Sequence, residues 1–188
     1  ARVQPGEWVV VVGAGGVGLS VVMIARALGA HVVAVDRNRA ALDAASALGA
    51  DAVVVADGAE VPDAVRRITG GGAHVSIDAV GAEQTAADAV LSLRRRGRHV
   101  QVGLLPSETG LSAMPMARVI AWELDVLGSH GMAAVDYPAM LELIAEGRLR
   151  PQELIERTIS LAEAAALLPT FDRATLAGMT MIDPGVLA

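Results

Sequence analysis

Val9-Val10-Val11-Val12-Gly13-Ala14-Gly15-Gly16-Val17-Gly18, followed later by Asp36, is the stretch that decides the fold. Four consecutive β-branched residues read as a buried strand, and the glycines that follow read as a turn into a helix. A second apolar run ends at Asp36. Strand, glycine turn, helix, strand and terminal acid form the order that a dinucleotide site requires. Gly13 permits the tight turn. Gly15 lets the backbone approach a pyrophosphate, and Gly18 lets the helix lie close to the strand. Gly16 and Val17 open the helix, whose free N–H groups and partial positive charge face the phosphates. Asp36 is placed to accept hydrogen bonds from the adenosine ribose. A glycine triplet alone also arises by chance in a Gly-rich chain; the surrounding elements give this one its specificity.

Working outward, strand-like runs fall near Trp8–Val12, His31–Asp36, Ala52–Val55, His74–Asp78, His99–Gly103 and Leu124–Leu127. Helical patterns fall near Gly16–Leu28, Arg39–Leu48, Glu60–Thr69, Glu83–Leu93 and Met116–Trp122. Several strands are continuous apolar runs, as expected where helices cover both faces of a parallel sheet. Six such strands with helical crossovers predict an α/β, Rossmann, doubly wound parallel sheet of order 3-2-1-4-5-6 over residues 1–131. Gly29 and Gly49 sit where left-handed helix caps favour glycine, and Gly97 is expected to do the same after Arg94-Arg95-Arg96. The polar stretch Ser107–Ser112 reads as a mobile loop.

Past Gly131 the pattern changes. Tyr137–Glu146 reads as an amphipathic helix, Thr158–Ser160 and Met179–Ile182 as short strands, and Leu161–Leu168 as a helix stopped by Pro169. Two isolated short strands do not make a stable sheet alone. Residues 132–188 are therefore expected to be part of a second domain.

Composition narrows the chemistry. Hydrophobic residues make up 53% of the 188, enough for a sizeable core, and aromatics only 2%, so that core is aliphatic. There is no cysteine, which excludes disulfides and Cys-ligated zinc within this chain and fits a reducing cytoplasm. All 15 basic residues are arginine. A P-loop lysine, a Schiff-base lysine and the Tyr–Lys pair of short-chain dehydrogenases are thereby excluded. The net charge of −6 disfavours nucleic acid as a partner. No apolar run reaches the ~18 residues of a membrane span.

Further stretches recur in order along the chain. They are Pro5-Gly6-Glu7-Trp8, Ala25-Arg26-Ala27-Leu28-Gly29-Ala30, Val35-Asp36, Leu48-Gly49-Ala50-Asp51 and Thr69-Gly70-Gly71-Gly72-Ala73. Asp78-Ala79-Val80-Gly81, Gly97-Arg98-His99-Val100-Gln101-Val102-Gly103 and Leu127-Gly128-Ser129 complete the series. Together with the glycine turn they resemble the medium-chain dehydrogenase family, the zinc-type alcohol dehydrogenases and their relatives, over nearly the whole chain. The resemblance implies a cofactor domain followed by the C-terminal part of a GroES-like catalytic domain. It further implies NAD as cofactor, a small alcohol or carbonyl substrate, and assembly as a homodimer or homotetramer. Zinc would belong to an N-terminal catalytic region with no counterpart in this sequence. The expectation is a chain that binds cofactor, holds no metal and does not turn over substrate alone.

Within that frame, Asp36 repels a 2′-phosphate and favours NAD over NADP. Arg37 and Arg39 oppose it, since guanidinium groups bind phosphate well; alternatively they form a solvated helix start, with Arg37 stacking on adenine. Ala79, Val80 and Gly81, then Val102, Gly103 and Leu104, and finally Ser129 stand at the ends of the later strands, where the nicotinamide side of the crevice is expected. The competing reading of Gly81 and Gly103 is plain chain turning. His130 reads as a loop contact, and His31, His74 and His99 as structural residues at strand starts. Asp78 either caps a turn or faces cofactor. Arg94, Arg95, Arg96 and Arg98 read as a solvated helix end. Met114, Met116, Met132, Met140 and Trp122 are expected at a domain or subunit boundary, and Leu124–Leu127 as an edge that pairs across a dimer. Competing functions are a zinc-free quinone or enoyl reductase, against which Asp36 argues, and a stand-alone NAD-sensing module, against which the orphan tail argues. A Rossmann methyltransferase would need a different glycine turn.

Overall fold

The computed structural model of the protein describes residues 1–57, 60–107, 111–173 and 177–185. Six parallel strands make the main sheet: β1 (Trp8–Val12), β2 (His31–Asp36), β3 (Ala52–Val55), β4 (Ala73–Asp78), β5 (Leu93–Gln101) and β6 (Asp125–Gly128). They are joined by α1 (Gly16–Ala27), α2 (Arg39–Ala47), α3 (Val61–Thr69), α4 (Glu83–Leu91) and α5 (Met116–Trp122). The spatial order is β3-β2-β1-β4-β5-β6. It reverses between β1 and β4, which opens a crevice at the carboxyl ends of those two strands.

Alternation along the buried strands sends side chains to two separate cores. Val9, Val11, Val32, Ala34, Val75 and Ile77 pack against Leu19, Val22 and Ala25 of α1 and Ala41, Leu42 and Ala45 of α2. Val10, Val12, Val33, Val35 and Val54 pack against Val61 and Val65 of α3 and Ala89 of α4. With both faces covered, the valine runs need no polar alternation.

Strand β5 departs from expectation. It starts at Leu93, and α4 ends at Leu91 with Ser92 as its cap. Arg94, Arg95 and Arg96 are therefore exposed strand residues, not a helix end. They form an irregularity: Ala73 pairs with Leu93, and pairing resumes at Val75 with Arg98. Arg96 takes the positive φ of 60° and Gly97 does not, so Gly97 is no left-handed cap. Glycine is needed there for a different reason, because a Cβ would lie 2.9 Å from the Arg94 carbonyl oxygen. Three successive arginines mimic the charged end of a helix, but Arg95 instead reaches across to α5, its guanidinium 5.4 Å from the Trp122 ring centroid. Arg98 leaves the run altogether and forms an ion pair with Glu7, both side chains largely buried. His99 is an interior residue of the strand, not its start.

The tail folds as α6 (Tyr137–Ala145), β7 (Ile155–Ile159), α7 (Leu161–Leu167) and β8 (Met179–Ile182). Strands β7 and β8 pair with each other in parallel, a two-stranded sheet in place of the expected isolated strands. Its support comes from the main domain. Leu154 is buried within the α1 and α2 core, and Met179 packs on the same cluster. Ser160 and Glu163 form a reciprocal capping box at the start of α7. Of the predicted loop Ser107–Ser112, residues 108–110 lie outside the described residues; the Ser107 hydroxyl donates to the Leu111 carbonyl at 2.6 Å.

Candidate functional site

The crevice begins at the glycine turn. Gly13 has φ +94°, and a Cβ on it would meet Val80 Cγ2 at 2.5 Å. The first turn and the end of β4 are thus in contact through glycine's lack of a side chain. A Cβ on Gly18 would fall onto the Gly13 carbonyl oxygen, so α1 lies as close to β1 as a backbone permits. Gly15 differs: a Cβ there would meet nothing within 4 Å. It is the N-cap of α1, with no side chain capping the helix and no acid in the first turn. The first N–H groups of this 12-residue helix thus have no side-chain cap, and a helix N-terminus of this kind favours an anion. Gly16 makes room for Met179, whose Cγ would lie 3.1 Å from an added Cβ, and Val17 is half exposed.

Asp36 stands at the end of β2, next to this turn. Its Oδ2 accepts the Ala14 N–H at 2.7 Å and its Oδ1 accepts the Asn38 N–H at 2.8 Å. Two further lone-pair positions remain for a diol. One carboxylate therefore ties the glycine turn to β2 while staying partly exposed at the crevice. Arg37 is exposed beside it. Asn38, a residue with no part in the sequence reading, caps α2 by accepting the Ala40 N–H at 3.0 Å.

The other wall comes from the ends of β4, β5 and β6. Ala79 N–H donates to the Val12 carbonyl at 2.8 Å, joining β4 to β1. Gly81, with φ +88°, has no room for a Cβ against the Leu104 carbonyl and Gly103. Gly103 in turn has no room against the Gly81 nitrogen. These glycines serve close backbone approach, beyond merely turning the chain. Val80 and Leu104 project outward and are more than half exposed. Val102, Gly103, Leu104, Ser129 and His130 line an open cavity of about 440 Å³, with Ser129 N–H bonded to the Gln101 carbonyl at 3.0 Å. All the predicted strand-end residues thus fall on one edge of the sheet.

Asp78 has a defined role as a turn cap. It is fully buried, and its Oδ1 accepts the Val80 N–H at 2.9 Å and the Gly81 N–H at 3.2 Å. Of the other histidines, His31 stacks on Trp8 with ring centroids 4.9 Å apart, and His74 Nδ1 accepts the Trp8 N–H at 3.0 Å. Both lie at the opposite end of the sheet from the crevice. Met114 and Trp122 pack on Val90, Leu93 and Leu124. Trp122 is also covered by Arg118, whose guanidinium lies 4.1 Å from the ring centroid. Met140 joins Met23, Met179 and Met181 around a groove beside α1, whereas Met116 and Met132 are exposed.

A glycine turn at a helix N-terminus, an acid at the end of the second strand and a glycine-lined far wall thus meet around one crevice at the sheet's topological switch point. The chain belongs to the zinc-binding dehydrogenase family, whose model matches residues 16–146. It is 39% identical over 170 residues to a probable D-xylulose reductase A of Aspergillus terreus, covering 87% of this chain and 47% of that protein. It is 30% identical over 187 residues to an NAD-dependent alcohol dehydrogenase of Sulfurisphaera tokodaii, covering 98% of this chain and 52% of that one. The solved alcohol dehydrogenase of Aeropyrum pernix superposes with a TM-score of 0.83 at 30% identity, over 97% of this chain and 52% of its own. The chain spans about half the length of the curated relatives it matches. Among the described residues, no three His, Cys, Asp or Glu side chains gather as a metal-binding group, so they offer zinc no ligand set. No helix among them is long and apolar enough to cross a membrane.

Proposed function

We propose that this chain is the NAD-binding part of an alcohol-dehydrogenase-type oxidoreductase. Residues 1–131 form the cofactor domain and residues 132–188 belong to the catalytic domain. The observation that carries this reading is the pairing of open space over Gly15 with the Asp36 carboxylate bonded to Ala14. Both lie at the sheet's topological switch point and support the reading of an anion site beside a diol acceptor. Gly13, Gly15, Gly16, Val17 and Gly18 would hold the pyrophosphate, Asp36 the adenosine ribose, and Arg37 the adenine. Ala79, Val80, Gly81, Val102, Gly103, Leu104 and Ser129 would frame the nicotinamide. Bound NAD supplies the hydride acceptor, and the protein's contribution is to bind and orient it. The substrate would be a small alcohol or its carbonyl product. The outer edge of β6, where Val126 is exposed, suits pairing with a second copy in a homodimer or homotetramer. The absence of cysteine fits a reducing cytoplasm.

Calorimetric titration with NADH and, separately, NADPH tests the reading. Saturable NADH binding with much weaker NADPH binding is expected. Asp36→Ala is expected to weaken NADH binding about tenfold and to narrow the gap to NADPH, as loss of a charge-assisted hydrogen bond would. Binding of neither nucleotide by the native protein would overturn the assignment.

A further inference from the structure

Behind the nicotinamide wall lies a polar ladder within an otherwise apolar layer. Ser76 pairs with His99 and Asp78 with Gln101 across β4 and β5. All four side chains lie on the sheet face covered by α3 and α4, in register with Val10 and Val12 of β1. Ser76, Asp78 and His99 are fully buried. Gln101 Nε2 donates to Asp78 Oδ2 at 2.7 Å and to the Gly103 carbonyl at 2.7 Å. Both partners only accept, which fixes the amide orientation and leaves Oε1 as an acceptor. Oε1 lies 3.1 Å from His99 Nε2, so that nitrogen carries the proton. His99 Nδ1 then accepts from the Ser76 hydroxyl at 3.0 Å. The chain of donors runs without conflict from Ser76 through His99 and Gln101 to Asp78. Asp78 holds the Val80 and Gly81 N–H groups.

The position of Gln101 gives this ladder a use. Its side chain spans the Asp78 turn and Gly103, the two segments that face each other across the far wall. Its main-chain carbonyl accepts from Ser129 N–H on the third segment. We propose that Gln101, oriented by His99 and Ser76, is a positioning residue whose side chain sets the spacing of the Val80–Gly81 and Gly103–Leu104 segments for the nicotinamide end of the dinucleotide. This rests on the dinucleotide reading above. A leucine at 101 would fill similar volume but release both tethers. A glutamate would set a second carboxylate against Asp78.

The test compares NADH with ADP-ribose, which has the adenosine and pyrophosphate but no nicotinamide, by calorimetry. Gln101→Leu is expected to weaken NADH at least about tenfold and to leave ADP-ribose within about twofold, with an unchanged circular dichroism spectrum. A general loosening of the fold would weaken both ligands together. Equal loss for both, or no loss for either, overturns the proposal. If Gln101→Leu does not fold, Ser76→Ala removes only the hydroxyl that orients His99. It is expected to lower NADH affinity about threefold and spare ADP-ribose; an unchanged ratio overturns the proposal. Native protein that binds neither ligand overturns the dinucleotide reading and this inference with it. Native protein that binds both, with a variant ratio unchanged, overturns this inference alone.

Discussion

Gly15 and Gly18 belong to one motif but meet opposite demands, and the difference is measurable residue by residue. Gly15 has φ −76°, a conformation any residue adopts, and faces open space. Its glycine is of no use to the unliganded fold. Gly15→Ala is therefore expected to cost less than about 1 kcal/mol of stability, the scale of an N-cap change. It should nonetheless reduce NADH affinity at least tenfold, because the methyl group occupies the space that a pyrophosphate must enter. Gly18→Ala places its methyl on the Gly13 carbonyl oxygen, and backbone cannot swing aside as a side chain does. It is expected to destabilise by about 3 kcal/mol or to prevent folding, at the upper end of overpacking effects. Thermal unfolding and NADH titration of the two variants would separate these roles. Native-like NADH affinity in Gly15→Ala would remove Gly15 from the site.

At the scale of elements, the β4–β5 pair joins the site to the stability of the sheet through its buried histidine. Burial lowers the pKa of His99, against the opposing effects of the Gln101 hydrogen bond and the Asp78 charge. His74 is lowered too, first by burial and then by Arg94. Both are bases depressed below the ordinary value of about 6.5, so below that pH the unfolded chain binds more protons than the folded one. Their contribution is complete above about pH 6.5 and is lost as pH falls toward their folded values. Asp51 acts in a lower window. Burial would raise it, but the Val32 N–H, His31 and Arg26 together bring it below its ordinary value. The urea midpoint is expected to decline from pH 7 to pH 5, and to decline less in His99→Gln, which keeps a hydrogen-bonding side chain without a titrating ring. Parallel slopes in the two proteins would mean that His99 takes up protons equally in the folded and the unfolded chain, contrary to a lowered folded value. The same pair marks where reading the sequence reached its limit. Strands β1 to β3 are legible because short valine-rich runs bounded by turn residues favour buried strands over helices. The glycine turn and Asp36 were legible because the chemistry of a phosphate site needs those residues in that order. The start of β5 is not legible, since Arg94-Arg95-Arg96 has no periodicity of either kind. The ladder is hidden in the sequence because cross-strand pairs such as Asp78 with Gln101 appear only once the register of two distant segments is set. Alternating polar residues at His99 and Gln101, opposite Ser76 and Asp78, were the available signal.

Across the whole molecule, the tail and the main sheet share one core, and this makes their stabilities interdependent. Leu154 is only 4% exposed and sits in the same cluster as Leu19, Val22 and Leu42. Met179 reaches that cluster from β8 and also covers Gly16. The β7–β8 pair by itself buries little, with Ile155, Met181 and Ile182 each at least 40% exposed. A two-stranded sheet of this kind holds only while something packs behind it. Leu154→Ala would leave a cavity at that joint and is expected to destabilise by about 2–4 kcal/mol, the range for buried leucines. If the core is shared, near- and far-ultraviolet circular dichroism should show a single transition at a lower denaturant midpoint, because the cavity weakens both parts together. If the tail instead docks as a separate unit, Leu154→Ala would release it at low denaturant while the six-stranded sheet unfolds later at a nearly unchanged midpoint. Met179 over Gly16 makes the distinction matter for the site. In the first case the tail helps to hold the start of α1 in place for a dinucleotide. In the second, Leu154→Ala would uncouple the tail and leave NADH affinity as it was.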